Sequence, residues 1–188
     1  MILHKQYIIF VLFIFIFKCL ECSTVDVYIP NDKYDIYNIS DIISNYAIKY
    51  NDINIYLNEE YMLVKKLERN YHQIYIPGNV NVSLIGNPNN GTIIDFSENF
   101  FYYSILFTEH TGQQIRIENI TFHNFNDPLS SLNNDLFYVS SYSNNYQIIF
   151  KNCIFDGSNS LIFDMEPRDN VIKRILEYQV LFDSCQFK

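Results

Sequence analysis

The sequence predicts an all-β fold: a parallel β-helix (solenoid) with an N-terminal capping α-helix and an uncapped C-terminal end. Three observations predict it. Segments 115–122 (IRIENITF), 148–155 (IIFKNCIF) and 180–187 (VLFDSCQF) superimpose at spacings of 33 and 32 residues. A partial copy 33 residues upstream matches Val82, Leu84 and Gly86 to Ile115, Ile117 and Asn119. Within and around the copies apolar residues alternate with polar ones, the period of a strand. The composition agrees: 16 Tyr and 16 Phe favour strands, while five Gly and five Pro are too few for a collagen-like or disordered chain.

The 188 residues suffice for one domain with its own core. The formal net charge of -8 argues against nucleic acid or an acidic membrane surface as the main partner. Residues 1–22 read as a secretory signal. His4 and Lys5 precede an apolar run from Tyr7 to Phe17 that is shorter than the roughly 20 residues needed to span a bilayer. Cleavage near Cys22 removes Lys5, Lys18 and Glu21, a net +1, and leaves -9. The chain is then expected to be secreted or held at the cell surface. An uncleaved signal segment would be its only membrane contact. Sequons at Asn38, Asn81, Asn90 and Asn119 suit that route.

Residues 23–52 divide into an irregular or extended lead-in (23–37) and a helix. Ile39, Ile42, Ile43, Tyr46, Ala47 and Tyr50 fall at helical spacing, with Asn38 or Ser40 as N-cap. Such a helix can cover the open first coil of a stack, since an uncovered coil exposes apolar side chains and strand edges. The coils themselves are read over 53–188. Ile53, Ile55 and Leu57 form one strand face, followed by Ile74 and Ile76, Val82 and Leu84, Ile94 and Phe96, and Ile105 and Phe107. Pro77-Gly78 and 87–91 (NPNNG) punctuate them as turns. Phe137 with Val139 and Leu161 with Phe163 supply further strands, giving two or three per coil.

The repeat defines columns of stacked residues about 4.8 Å apart. Ile115, Ile148 and Val180 form one column. Ile117, Phe150 and Phe182 form a second, and Phe122, Phe155 and Phe187 another, all expected to point inward. Asn119, Asn152 and Ser184 fall where the chain must bend. Asn tolerates turn conformations, and a buried amide ladder would satisfy its own polar groups, leaving Asn119 inward and unglycosylated. That leaves Asn38, Asn81 and Asn90 as the candidate glycosylation sites. Cys153 and Cys185 share a column at disulfide distance but with parallel Cβ vectors, so either a strained disulfide or a reduced, buried pair fits.

Residues 82–96 (VSLIGNPNNGTIIDF), 115–125 (IRIENITFHNF) and 148–160 (IIFKNCIFDGSNS) resemble the right-handed parallel β-helix proteins of the pectin-lyase-like superfamily. The resemblance spans roughly residues 53–188. It implies a right-handed coil and a long groove on one outer face that can hold a polysaccharide.

Outward positions are where chemistry would lie. Glu118, Lys151 and Asp183 form one outward column, with Arg116 beside Glu118. These four residues are the candidate ligand-binding set, read either as a solvated charge ladder or as a sugar-binding edge in which Arg116 meets a uronate carboxylate. Lys151 interrupts the carboxylate row that a Ca²⁺-dependent lyase of the family would need. The Asn-Thr-Asp, paired Asp, Gly-His-Gly and Arg-Ile-Lys motifs of the family's polygalacturonases are absent from the sequence. Asp95, Asp127, Asp156 and Asp164 read as local backbone ligands, and His4, His72, His110 and His123 as solvated surface side chains. No catalytic residue, metal site or cofactor is therefore assigned. The expected function is a non-catalytic β-helix protein, glycan-binding or scaffolding. The alternative is a truncated or degenerate polysaccharide lyase or glycoside hydrolase, since the chain stops one residue after a core-column Phe.

Overall fold

The computed structural model describes residues 23–64, 71–97, 102–108, 113–125, 136–141, 145–157, 163–167 and 179–188. Residues 1–22, on which the expected signal and His4 fall, and also His110, Asp127 and Leu161, lie outside these. The chain enters through β1 (Thr24–Ile29), passes a 3₁₀ turn (Ile36–Asn38) and forms α1 (Ile39–Tyr46). A first coil follows with β2 (Asp52–Leu57), β3 (Tyr61–Leu63) and β4 (Tyr71–Ile76). The second holds β5 (Asn81–Ile85), β6 (Thr92–Asp95) and β7 (Tyr102–Phe107). The third holds β8 (Gln113–Glu118), β9 (Ile120–His123) and β10 (Phe137–Ser141). The fourth holds β11 (Tyr146–Lys151), β12 (Ile154–Asp156) and β13 (Phe163–Pro167). A further wind begins with β14 (Val180–Asp183) and β15 (Gln186–Phe187).

Each coil contributes one strand to each of three parallel sheets. Sheet A has the order β1-β2-β5-β8-β11-β14, sheet B the order β15-β12-β9-β6-β3, and sheet C the order β13-β10-β7-β4. Register is one residue above its equivalent throughout: Val82↔Ile115↔Ile148↔Val180 in sheet A and Ile94↔Phe122↔Phe155↔Phe187 in sheet B. The fold is a parallel β-solenoid of about four turns. Stacking in register makes ladders of like residues. Phe122, Phe155 and Phe187 stack at centroid distances of 5.4 and 5.3 Å, and Phe150 lies 5.0 Å from Phe182. Inward-facing Ile, Val, Leu and Phe from all three sheets form one continuous core. A void lined by Ile39, Ile74, Leu84, Ile115 and Phe137 has room for only about one water-sized molecule.

The bend between sheets A and B is made by a single residue in the left-handed region: Asn119 (φ 57°), Asn152 (φ 53°) and Ser184 (φ 57°). Asn populates that region at less steric cost than other non-glycine residues. Backbone bonds from Asn119 N–H to the Lys151 carbonyl and from Asn152 N–H to the Asp183 carbonyl carry the ladder through the bend. The expected buried amide ladder is not formed: Asn119 is half-buried, while Asn152 and Ser184 are exposed. Backbone conformation, not amide stacking, is the reason for Asn in this column. In the second coil the bend is expanded, and Gly86 and Gly91 divide the work. Gly86 donates its N–H to the Glu118 carbonyl; Gly91 takes the left-handed conformation (φ 75°) immediately before Thr92, which pairs with Ile120.

Helix α1 buries Ile39, Ile42 and Ile43 at i, i+3, i+4 spacing and packs against β4, the outermost strand of sheet C. It thus closes the first coil, as the sequence predicts, but it ends at Tyr46 rather than Tyr50. Asn38 occupies the N-cap without a side-chain capping bond to the helix. Asp35 caps the preceding 3₁₀ turn instead, accepting from Tyr37 N–H at 2.8 Å while Asn38 Oδ1 accepts from Asp35 N–H. Ser40 lies inside the helix. Of the two readings of the lead-in, Thr24–Ile29 takes the extended one and is fully paired with β2, so sheet A begins well before residue 53.

Candidate functional site

The outer face of sheet A carries three columns of side chains, the one farthest from the A–B bend being Thr24, Asp52, Asn81, Gln114 and Gln147. Nearest the A–B bend run Tyr28, Tyr56, Ile85, Glu118, Lys151 and Asp183; behind them run Asp26, Asn54, Ser83, Arg116, Ile149 and Leu181. Strand alternation alone puts these residues outward, because their neighbours in each strand fill the core.

Three of the four candidate residues meet. Glu118 accepts from Arg116 Nη2 through Oε2, and Lys151 Nζ lies 3.3 Å from Glu118 Oε1. The Glu118 side chain is only 15 % exposed, which strengthens both contacts relative to a fully solvated pair. Arg116 Nε is buried without a hydrogen-bond partner, although the side chain as a whole is 39 % exposed. Asp183 stands next to Lys151 in register, but its Oδ1 accepts from Ser184 Oγ. The cluster is thus internally neutralised.

Further along the same face, side chains within a column link strand to strand by hydrogen bonds. Asn54 Nδ2 donates to Asp26 Oδ1 at 2.8 Å, Asn81 Nδ2 to Asp52 Oδ1 at 2.9 Å, and Gln114 Nε2 to Gln147 Oε1 at 2.9 Å. At the β1 edge the rings of Tyr28 and Tyr56 stack outward at 4.9 Å and 15°. Sequence reasoning missed this end of the face. The signal was available in residues 24–29 (TVDVYI), where Val25, Val27 and Ile29 alternate with Asp26 and Tyr28.

On sheet B, Leu63, Asp95, His123 and Asp156 form an outward column. His123 is not the solitary solvated histidine expected: its Nδ1 lies 2.8 Å from Asp156 Oδ2. Asp95 accepts from Tyr61 Oη at 2.5 Å, Ser97 N–H at 2.8 Å and Asn124 Nδ2 at 3.1 Å. Burial of Asp95 disfavours its charge, but these three donors, aided by His123, outweigh it and hold the carboxyl below its ordinary pKa. His72 also departs from expectation. It shares strand parity with Ile74 and Ile76, points inward, and meets the Tyr103 ring edge-on at 6.3 Å. Its Nε2 is buried without a partner, and burial lowers its pKa.

Cys153 and Cys185 stand as free thiols. Their sulfurs contact the carbonyls of Ile117 and Phe150 respectively, and burial pushes the Cys153 thiol up to about 12. Asn81 and Asn90 are exposed and Asn38 is half-buried. In all three the amide nitrogen that would carry a glycan donates to a carboxylate: Asn38 to Asp41, Asn81 to Asp52 and Asn90 to Glu60. Among the described residues no group of three or more His, Cys, Asp or Glu side chains is placed to hold a metal ion.

Fold and face together define a three-sheeted parallel β-solenoid with a long, hydrogen-bonded polar outer face. No family model, curated protein or solved structure matches the chain.

Proposed function

We propose that this is a secreted or cell-surface, non-catalytic β-solenoid, a right-handed member of the pectin-lyase-like superfamily, that holds a glycan against the outer face of sheet A. The observation that carries this reading is the state of the outward side chains. Glu118 ties up Arg116 and Lys151, and Asp26–Asn54, Asp52–Asn81 and Gln114–Gln147 pair in rows at the strand spacing. A face of matched charges and amides offers donors and acceptors to hydroxyl groups along a chain.

The test is retention of the purified chain on insoluble and gel-embedded polysaccharides, with reducing-end release followed in the same samples with and without Ca²⁺. Retention without new chain ends is the expected result; release of chain ends overturns the non-catalytic reading.

A second reading rests on His123. Its contact with Asp156, in one column with Asp95, orients an imidazole between carboxylates, the arrangement of a general base in a degenerate hydrolase. Chain-end release that disappears in His123→Ala would favour it.

A further inference from the structure

Among the described residues the stacked aromatic pairs between sheet strands belong to the core columns, and Tyr28–Tyr56 departs from that. Phe122–Phe155 and Phe107–Tyr146 stack among buried inward side chains, where burial alone explains them, and Phe182 continues the inward column of Phe150. Tyr28 and Tyr56 stack on the solvent side of sheet A, and Tyr28 is 52 % exposed. Among the described residues β1 is the outermost strand of that sheet, and there Tyr28 has Tyr56 on one face and no further strand on the other. The stack thus ends in an open aromatic face.

Hydrogen-bonding groups flank it. Asp26, two residues back on the same side of β1, gives Oδ1 to Asn54 Nδ2 and retains a second carboxylate oxygen. Asn31 locks the chain after β1: its Nδ2 donates to the Tyr28 carbonyl, and its Oδ1 accepts from Lys33 and Tyr34 N–H. The ring is therefore carried on a fixed strand and a fixed turn. The local charge is negative, from Asp26 and Asp52, whereas Arg116 and Lys151 are engaged by Glu118 further along the sheet.

We infer that Tyr28, backed by Tyr56 and flanked by Asp26 and Asn54, is a stacking subsite for the pyranose ring of a neutral glycan. A flat ring offering C–H bonds on one face matches the π surface. Carboxylate and amide groups at the ring's edge match equatorial hydroxyls. A uronate would bring its carboxylate against Asp26, a like-charge contact that selects against it. The inference rests on the glycan-binding reading and specifies where on the face binding is centred and which class of sugar it takes.

Affinity electrophoresis of the full chain tests both. The gels contain a neutral β-linked glucan, a neutral mannan, or polygalacturonate, and the proteins are wild type, Tyr28→Ala, Tyr28→Phe and Arg116→Gln. Expected is retardation by a neutral polymer, weakened about tenfold in Tyr28→Ala and kept in Tyr28→Phe, on the strength of one aromatic stack. Far-ultraviolet circular dichroism of Tyr28→Ala should match wild type, since the ring is on the surface. Retardation by polygalacturonate alone, lost in Arg116→Gln and kept in Tyr28→Ala, overturns the subsite but keeps the glycan-binding reading. Absence of retardation in every gel overturns both. Dimerisation of wild type abolished by Tyr28→Ala, with no retardation, replaces the sugar with a second copy of this chain and overturns the subsite.

Discussion

Gly86 and Asn119 meet back to back in adjacent coils: a β-carbon built on Gly86 collides with the Asn119 carbonyl oxygen and crowds the Thr92 amide at 2.9 Å. Both obstacles are backbone, so neither can swing aside. Gly86→Ala is expected to destabilise the fold by about 2–3 kcal/mol, the range of overpacking in a site that cannot relax. The urea midpoint measures it, and an unchanged midpoint would contradict the close approach.

The bend column separates conformation from side-chain contact. Asn152 is exposed, so its contribution lies in its left-handed backbone. Asn152→Gly should keep stability to within about 0.5 kcal/mol, whereas Asn152→Val should lose about 1–2 kcal/mol or more. Equal losses in the two variants would restore the amide-ladder explanation.

Glu118 joins two cations. Glu118→Gln should cost about 1 kcal/mol, because it frees Lys151 to solvent but leaves Arg116 with its buried Nε unsatisfied. High salt should narrow the gap to wild type. A double-mutant cycle with Lys151→Met apportions the coupling.

Acid should act in two windows. Burial lowers the pKa of His72, so the unfolded chain binds that proton more readily; the stability involved is present above about pH 6.5 and declines as pH falls below it. Asp95 has a depressed folded pKa, so its contribution is present above about pH 4 and lost as pH falls through the folded value. Denaturant titrations from pH 8 to 3 should show His72→Phe flattening the first decline and Tyr61→Phe reducing the second.

The alkaline side runs the other way. Burial raises Tyr103, and it pushes Tyr146 and Cys153 each up to about 12. Their stabilising effect is complete below the unfolded pKa values, roughly 8.5 for the thiol and 10 for the phenols, and is lost as pH climbs past them. Iodoacetamide should label Cys185 well before Cys153, which is fully buried. Simultaneous labelling would mean that the fourth coil opens as readily as the last strands.

Much of this architecture was legible in the sequence because a solenoid writes its register as a period. The matches of Ile115 to Ile148 and of Phe122 to Phe155 are the same fact as the hydrogen-bonded strand pairs. What stayed hidden falls outside the repeat. Residues 24–29 pair with β2 but have no copy at the repeat spacing, and Tyr61–Leu63 is too short a strand to signal itself. His72 was misread because histidine suggests surface; the parity it shares with Ile74 and Ile76 would have placed it inside. Of the site, the Glu118 and Lys151 column was readable from strand alternation. The His123–Asp156 contact and the two roles divided between Gly86 and Gly91 depend on how neighbouring coils are laid together.

From the third coil on, the other connections between sheets vary while the A–B bends do not. The chain runs from His123 to Phe137 between sheets B and C in the third coil, but only from Asp156 to Phe163 in the fourth; the return from sheet C to sheet A is short from Ser141 to Tyr146 and long from Pro167 to Val180. Distance along the chain is thus not what sets the pitch. From the third coil on, the single left-handed residue at the A–B bend (Asn119, Asn152 and Ser184) acts as the ruler, and the number of residues spent between the other sheets varies around it.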